Sequence, residues 1–77
     1  MVKIYSTPTC TYCNIAKKYL RDKGVKFSDY NVAVDLRRAE EMLHKSRQQG
    51  VPVIDFNGKI IVGFDKPGLD REIAAMR

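Results

Sequence analysis

Two cysteines separated by two residues constrain this chain more than any other feature of its sequence. Cys10 and Cys13 lie between a short β-branched and aromatic run, residues 2–5, and a run of strong helix formers, residues 15–20. Positions three apart on the first turn of a helix lie on one side, close enough for their sulfurs to bond without large backbone movement. The first cysteine would lie at the helix N-terminus, where free N–H groups and the helix dipole stabilise a thiolate. The spacing therefore predicts a redox-active pair, with Cys10 as the nucleophile and Cys13 as the resolving thiol.

A zinc site and an inert disulfide are the two alternatives for this pair. Four-coordinate structural zinc needs two further ligands, and the chain has no third cysteine and a single histidine, His44. Cysteine and histidine could therefore complete such a site only if two chains shared the ion, and we expect no metal and an exposed His44. A disulfide across three residues closes so short a loop that it would stabilise the fold little. Redox chemistry is the interpretation that these residues favour.

The composition indicates one globular domain. A chain of 77 residues has room for a single domain, residues 1–77, and 44% hydrophobic with 30% charged residues is typical of a folded protein. No apolar run approaches the roughly 20 residues that a membrane helix needs. The first residues, 1–4, lead into a strand without a signal-peptide pattern. We therefore expect a cytoplasmic monomer, in a compartment where a lone cysteine pair is more often catalytic than structural.

The positive charge of the chain does not predict a nucleic-acid site. The formal net charge is +5, but the basic residues are spread along the predicted helices without interleaved aromatic residues. We expect no binding to nucleic acid or membrane, and at most a mild preference for acidic protein partners or anionic thiols. Lys17 or Lys18, at least one turn into the first helix, could help the helix N-terminus to stabilise a Cys10 thiolate.

The hydrophobic pattern alternates between the strand and helix periods, with no linker or repeat. The predicted elements are strands at 2–5, 26–32, 53–56 and 59–62 and helices at 11–23, 36–48 and 67–76. Asn57-Gly58 between the last two strands predicts a type I′ hairpin, because both turn residues need positive φ. The fold class is therefore α/β, a four-stranded mixed sheet with three helices in the order β-α-β-α-β-β-α. Its first two strands should be parallel, since a helix connects them.

Caps and buried faces of the helices can also be predicted. Gly24 should end the first helix and Gly50 the second, whereas Asp35 should cap the start of the second, and Asp65 or Lys66 that of the third. Helical spacing predicts the following inward residues: Ala16, Tyr19, Leu20 and Lys23; Leu36, Ala39, Met42 and Leu43; and Leu69, Ile73 and Met76.

Three short motifs follow one another at characteristic distances. They are residues 4–13, which include the cysteine pair, then Gly50-Val51-Pro52-Val53, and then Gly63-Phe64-Asp65. In order and spacing they resemble the glutaredoxins, small proteins of the thioredoxin fold, and the related redoxins that serve ribonucleotide reductase. The resemblance spans nearly the whole chain. It implies a dithiol thiol-disulfide oxidoreductase that acts in electron transport and cell redox homeostasis and needs no metal or organic cofactor.

The resemblance also implies a substrate groove beside the cysteine pair. In the family, the proline that matches Pro52 is cis, and the residue before it, Val51, offers backbone hydrogen bonds to a bound thiol peptide, as an added strand would. Asp65 could bind the γ-glutamyl amine of glutathione, cap the last helix, or do both. The other substrate-binding positions that the resemblance implies are Thr7, Tyr12, Gln48, Gly63 and Phe64, of which Tyr12 and Gln48 could instead be merely solvated.

Departures from the glutaredoxin pattern leave the electron donor open. Thr11 replaces a proline of the family, Thr7 replaces the lysine that pairs with the glycine carboxylate of glutathione, and Gly50 replaces a threonine. Gly63-Phe64 resembles the reductase-dependent redoxins, whereas Asp65 suits glutathione. We expect disulfide-containing proteins as partners, and either glutathione as a co-substrate or thioredoxin reductase as the donor. A non-catalytic adaptor or metal chaperone with the same fold is the alternative from another functional class.

Overall fold

The computed structural model describes residues 2–76, and its elements follow the predicted order. The strands are β1 (Val2–Ser6), β2 (Phe27–Asn31), β3 (Val53–Phe56) and β4 (Lys59–Val62), and the helices are α1 (Thr11–Asp22), α2 (Leu36–Ser46) and α3 (Lys66–Ala75). They form one sheet of order β2-β1-β3-β4, in which β1 and β2 are parallel and the other pairs antiparallel. The α/β class, the four-stranded mixed sheet and the three helices are thus confirmed.

Two helices begin at the predicted cap residues. The side chain of Asp35 accepts a hydrogen bond from the backbone N–H of Arg38, and that of Asp65 from Gly68, each at 3.2 Å. Each aspartate therefore satisfies a backbone donor that the first turn of a helix leaves free. Of the two residues predicted to cap α3, Asp65 does so.

Left-handed backbone conformations mark the turns. Gly24 follows α1 with φ of 74°, and the turn between β3 and β4 has φ of 52° at Asn57 and 105° at Gly58. These values are those predicted for a helix end and for a type I′ hairpin. The end of α2 differs from the prediction, because Arg47 is its C-cap with φ of 62°, three residues before Gly50. A hydrogen bond from the backbone N–H of Arg47 to Leu43 closes that last turn at 2.8 Å.

The two faces of the sheet carry cores of different size. The larger core packs α1 and α3 on one face and contains Val2, Ile4, Ala16, Leu20, Val25, Ile54, Phe56, Ile61, Leu69 and Ile73. On the other face, under α2, the core is confined to Tyr5, Met42 and Val53 with partly buried neighbours. The apolar anchorage of α2 is therefore slight.

Several of the residues predicted to point inward do not. Leu36 is 75% exposed, Leu43 41% and Met76 50%, and Lys23 is also exposed. For α2 the prediction is correct for Met42, which is buried, and wrong for the two leucines. The helix meets the sheet through Met42 and through the charged and polar groups around it, so its leucines are left on a more open side.

A charged cluster attaches α2 to the sheet. Lys45 Nζ donates hydrogen bonds to the Tyr5 hydroxyl at 3.0 Å and to Asp55 Oδ2 at 2.6 Å, and the Tyr5 hydroxyl donates to Glu41. Burial alone would raise the pKa of Asp55, but the hydrogen bonds from Lys45 and from the backbone N–H of Gly58 outweigh it and lower that pKa. The hydrogen bond from Tyr5 is the main cause that lowers the pKa of Glu41. Polar contacts therefore attach α2 to this face of the sheet, whereas apolar packing attaches α1 and α3 to the opposite face.

Candidate redox site

The two cysteines form a disulfide across the start of α1. Cys10 is the N-cap of α1, and its Sγ accepts a hydrogen bond from the backbone N–H of Cys13 at 3.1 Å. The two Cα atoms are 5.2 Å apart. Cys10 is partly exposed, whereas Cys13 is fully buried. In the reduced protein the same N–H group would stabilise a Cys10 thiolate, because a hydrogen bond to the charged form favours that form.

The lysines of α1 are paired with carboxylates. Lys17 Nζ lies 3.0 Å from Asp29 Oδ2, and Lys18 Nζ lies 2.9 Å from Asp22 Oδ2. Each carboxylate offsets the field that its lysine would exert at the cysteine pair. We therefore expect the helix N-terminus to contribute more than these lysines to stabilising a Cys10 thiolate.

The Val51-Pro52 peptide bond is cis, as predicted, and lies against the pair. The carbonyl oxygen of Val51 is 3.9 Å from Sγ of Cys10, and Pro52 is buried while Val51 remains partly exposed. The carbonyl oxygen of Pro52 accepts a hydrogen bond from the backbone N–H of Gly63 at 2.8 Å. Three motifs that are distant in the sequence therefore meet at one place.

The segment Gly63-Phe64-Asp65 joins β4 to α3. Phe64 packs edge-on against Tyr19 of α1, with 5.6 Å between the ring centroids. Asp65 is exposed, and its Oδ1 serves as the cap of α3. Capping leaves its charge at the surface beside this segment, so the role of Asp65 towards a substrate stays a prediction.

The remaining predicted residues differ in how they relate to the pair. Tyr12 is 62% exposed between the cysteines. Thr7 accepts a hydrogen bond from the backbone N–H of Cys10 through its carbonyl oxygen at 3.3 Å. The side-chain amide of Gln48 folds back on the chain, where it donates to the carbonyl oxygen of Gly50 at 2.9 Å and accepts from its N–H at 2.8 Å. The amide that was predicted to contact glutathione is thus bonded to the protein itself.

An open, mainly apolar groove of about 440 Å³ runs from this site along α2. Thr7 and Val51 line it at the site, and Leu36, Met42 and Leu43 line it further along. The part of this groove along α2 was not predicted, because both leucines were assigned to the core. A signal was present: residues 38, 41, 42 and 45 also follow helical spacing, and they form the face that contacts the sheet.

Within residues 2–76, no three His, Cys, Asp or Glu side chains are grouped so that they could hold a metal ion. None of the helices described is long and apolar enough to cross a membrane. His44 is exposed on α2, as predicted.

The comparisons with known proteins agree with the geometry of the site. A family profile described as Glutaredoxin matches residues 2–61. The chain is 53% identical over 73 residues to a glutaredoxin-like 8.6 kDa protein in the rubredoxin operon of Clostridium pasteurianum, covering 95% of this chain and 97% of that protein. It is 38% identical over 64 residues to glutaredoxin 3 of Escherichia coli K12, covering 83% and 77%. Its structure matches that of the glutaredoxin-like NrdH-redoxin from Escherichia coli with a TM-score of 0.81, 24% identity and 91% of each chain covered, which shows a shared thioredoxin-like fold.

Proposed function

This chain belongs to the glutaredoxin family, and we propose that it is a dithiol thiol-disulfide oxidoreductase that reduces protein disulfides and glutathione mixed disulfides. One observation carries the proposal. Sγ of the partly exposed Cys10 lies at the N-cap of α1, 3.9 Å from the Val51 carbonyl oxygen and bonded to the buried Cys13. That arrangement combines an accessible sulfur, a donor for its thiolate, a second sulfur within bonding reach and a backbone edge for a substrate.

The proposed reaction is dithiol exchange. In the reduced protein the Cys10 thiolate attacks one sulfur of a substrate disulfide, so that the substrate S–S bond breaks, a mixed disulfide forms, and the first substrate thiolate leaves and takes up a proton. The Cys13 thiol then loses its proton and attacks Cys10, which releases the second substrate sulfur as a thiol. Two electrons have passed to the substrate, and the protein is left with the Cys10–Cys13 disulfide. Two thiols or a reductase must supply two electrons to restore the dithiol.

The backbone around Val51 would hold the substrate during the exchange. Val51 is partly exposed next to Cys10, and an extended peptide can bind to such an edge through its main chain. The apolar groove that begins at Thr7 and Val51 would then accept side chains of a protein substrate. We therefore propose disulfide-containing proteins as the partners, and electron transport to them in the cytoplasm as the role of a monomeric protein without metal or organic cofactor.

The electron donor is the point on which two versions of this function differ. Asp65, exposed beside Gly63 and Phe64, supports glutathione, because its carboxylate suits the γ-glutamyl ammonium group. Thr7 provides no cation for the glycine carboxylate, and the amide of Gln48 is bonded to Gly50. These two features favour the alternative, a redoxin that thioredoxin reductase recharges and that donates electrons to ribonucleotide reductase.

Reduction of insulin by dithiothreitol tests the proposal against a non-catalytic adaptor of the same fold. We expect the chain to accelerate the reaction, and Cys10→Ser to remove the acceleration. A wild-type rate no higher than that of Cys10→Ser would favour the adaptor. The donor is then identified by comparing the re-reduction rate of the oxidised protein by glutathione with that by thioredoxin reductase and NADPH.

A further inference from the structure

Side chains at the end of α2 and in the loop before Val51 form hydrogen bonds with the backbone of the same segment. Ser46 Oγ lies 2.7 Å from the carbonyl oxygen of Met42 and 2.9 Å from that of Gln48, within hydrogen-bond distance of both. Gln48 then spans Gly50 with two bonds, since its Nε2 donates to the carbonyl oxygen of Gly50 and its Oε1 accepts from the N–H of Gly50. The side chain of Gln48 therefore binds both the backbone N–H and the carbonyl oxygen of Gly50.

The absence of a side chain at Gly50 makes room for this contact. A Cβ atom built on Gly50 would lie 2.7 Å from Oε1 of Gln48, closer than atoms of these types approach each other. Any other residue at position 50 would therefore displace the Gln48 amide. The two residues act as a pair, because the missing side chain of Gly50 leaves the space that the Gln48 amide occupies.

The residue after Gly50 is the one beside the redox pair. The carbonyl oxygen of Val51 lies 3.9 Å from Sγ of Cys10, and the following bond is the cis bond to Pro52. Whatever fixes the backbone of Gly50 also fixes the start of Val51. Pro52 is held on its other side by the hydrogen bond from Gly63, so Gln48 provides the constraint on the upstream side.

We propose that Gln48 is a positioning residue of the redox site: its amide holds Gly50, and thereby keeps the Val51 carbonyl beside Cys10 and the Val51 backbone in place for a substrate. The second part of this inference rests on the proposed function, because it requires a substrate that binds to Val51. The first part, the position of the Val51 carbonyl beside Cys10, concerns only the thiol of Cys10 and does not depend on the proposed function. A carbonyl oxygen near the sulfur accepts a hydrogen bond from the thiol and repels the thiolate, so its position affects the pH at which Cys10 becomes reactive.

Three variants test the proposal. Gln48→Ala removes the amide, and Gly50→Ala leaves the amide intact but displaces it from its partner. Gln49→Ala is the matched control for the alkylation measurement, because it removes the same kind of side chain from an exposed neighbour and leaves the two bonds to Gly50 in place. It is not used as a control for KM, since Gln49 lines the apolar groove. For each variant we would measure the pH midpoint of Cys10 alkylation in the reduced protein, kcat and KM for a peptide disulfide, and the urea midpoint of unfolding.

Gln48→Ala and Gly50→Ala should both lower the pH midpoint of Cys10 alkylation, since the Val51 carbonyl is no longer held against the thiol. They should also raise KM about three- to tenfold with a smaller change in kcat, the loss expected when about one hydrogen bond to the substrate is weakened. Gln49→Ala should follow the wild type in the pH midpoint of Cys10 alkylation. If Gln48→Ala changes only the urea midpoint, or if Gln49→Ala shifts the alkylation midpoint equally, Gln48 is not a positioning residue. Because alkylation needs no disulfide substrate, this outcome is distinct from a failure of the proposed function, which would appear as a wild-type protein without activity.

Discussion

The backbone N–H of Gly63 donates a hydrogen bond to the carbonyl oxygen of Pro52 at 2.8 Å. This bond joins the loop that carries the cis Val51-Pro52 bond to the segment that leads into α3. Gly63 adopts φ of 77°, a conformation that favours glycine. The contact therefore depends on glycine at this position. It fixes the start of the segment that carries Phe64 and Asp65 relative to Pro52.

The two cysteines should differ in reactivity. Cys10 is partly exposed and accepts the N–H of Cys13, whereas Cys13 is fully buried. In the reduced protein, iodoacetamide at about pH 6 to 7 should therefore modify Cys10 well before Cys13, with a Cys10 pKa below the free value of about 8.5. Peptide mass mapping of a time course measures this order. Earlier modification of Cys13, or an ordinary titration of Cys10, would refute the assignment of the two roles.

Single cysteine variants should separate the two steps of the exchange. Cys13→Ser removes the sulfur that resolves the mixed disulfide, so Cys10 should remain linked to a substrate thiol, and glutathione-linked activity can persist. Cys10→Ser should abolish every activity. Non-reducing mass spectrometry after incubation with a peptide disulfide detects the trapped species. Disulfide reduction by the Cys10 variant would contradict the mechanism.

Asp65 combines a cap with an exposed charge, and substitutions can separate the two. Asparagine caps helices about as well as aspartate, so Asp65→Asn should keep the stability of α3 yet lower the rate of reduction by glutathione, because the charge-assisted bond to the γ-glutamyl amine is lost. Asp65→Ala should lower the same rate and also cost about 1 kcal/mol of unfolding free energy. Asp35→Ala is the control, since it removes the equivalent cap of α2. An unchanged glutathione rate in Asp65→Asn would assign this residue to capping alone.

Thr7 should limit the use of glutathione. A lysine at this position would supply the cation for the glycine carboxylate, and one such bond is typically worth about 1.5–3 kcal/mol. Thr7→Lys should therefore raise the second-order rate constant for reduction by glutathione roughly tenfold. Stopped-flow measurements with glutathione, its reductase and NADPH provide the test. If neither Thr7→Lys nor Asp65→Asn alters this rate and thioredoxin reductase alone is effective, the reductase-dependent redoxin is the better description.

Asp55 should make the fold sensitive to acid. Its pKa is lowered in the folded protein, so its contribution to stability is present above its unfolded pKa of about 3.9 and is lost as the pH falls through the folded value. Asp55→Asn should lower the unfolding free energy near neutral pH by roughly 1–3 kcal/mol, because Lys45 loses one of its two carboxylate partners. The variant should also show a weaker decline towards acid. Urea unfolding from about pH 3 to 7 measures both, and Asp22→Asn, which removes an exposed ion pair with Lys18, should change little.

Local sequence determined much of this protein. Asn57-Gly58 specified its hairpin, Gly24 the end of α1, and Asp35 and Asp65 the starts of two helices, because turns and caps depend on the backbone preferences of a few adjacent residues. The spacing of Cys10 and Cys13 before a helix was sufficient to predict a redox pair, and the structure places the first at the N-cap. The alternation of strand and helix patterns likewise determined the order of strands and helices along the chain.

Tertiary structure alone decided which face of α2 is buried and what Gln48 contacts. Leu36 and Leu43 follow helical spacing as well as the residues that do meet the sheet, so periodicity could not choose between the two faces. The choice came from Tyr5 and Asp55 on β1 and β3, whose polar groups bind Glu41 and Lys45 of the helix. Gln48 was predicted either to contact the substrate or to be solvated, but its amide bonds to the backbone of Gly50, whose missing side chain leaves room for it. Both outcomes depend on atoms brought together by folding, and the free energy of such contacts is not encoded in any short stretch of sequence.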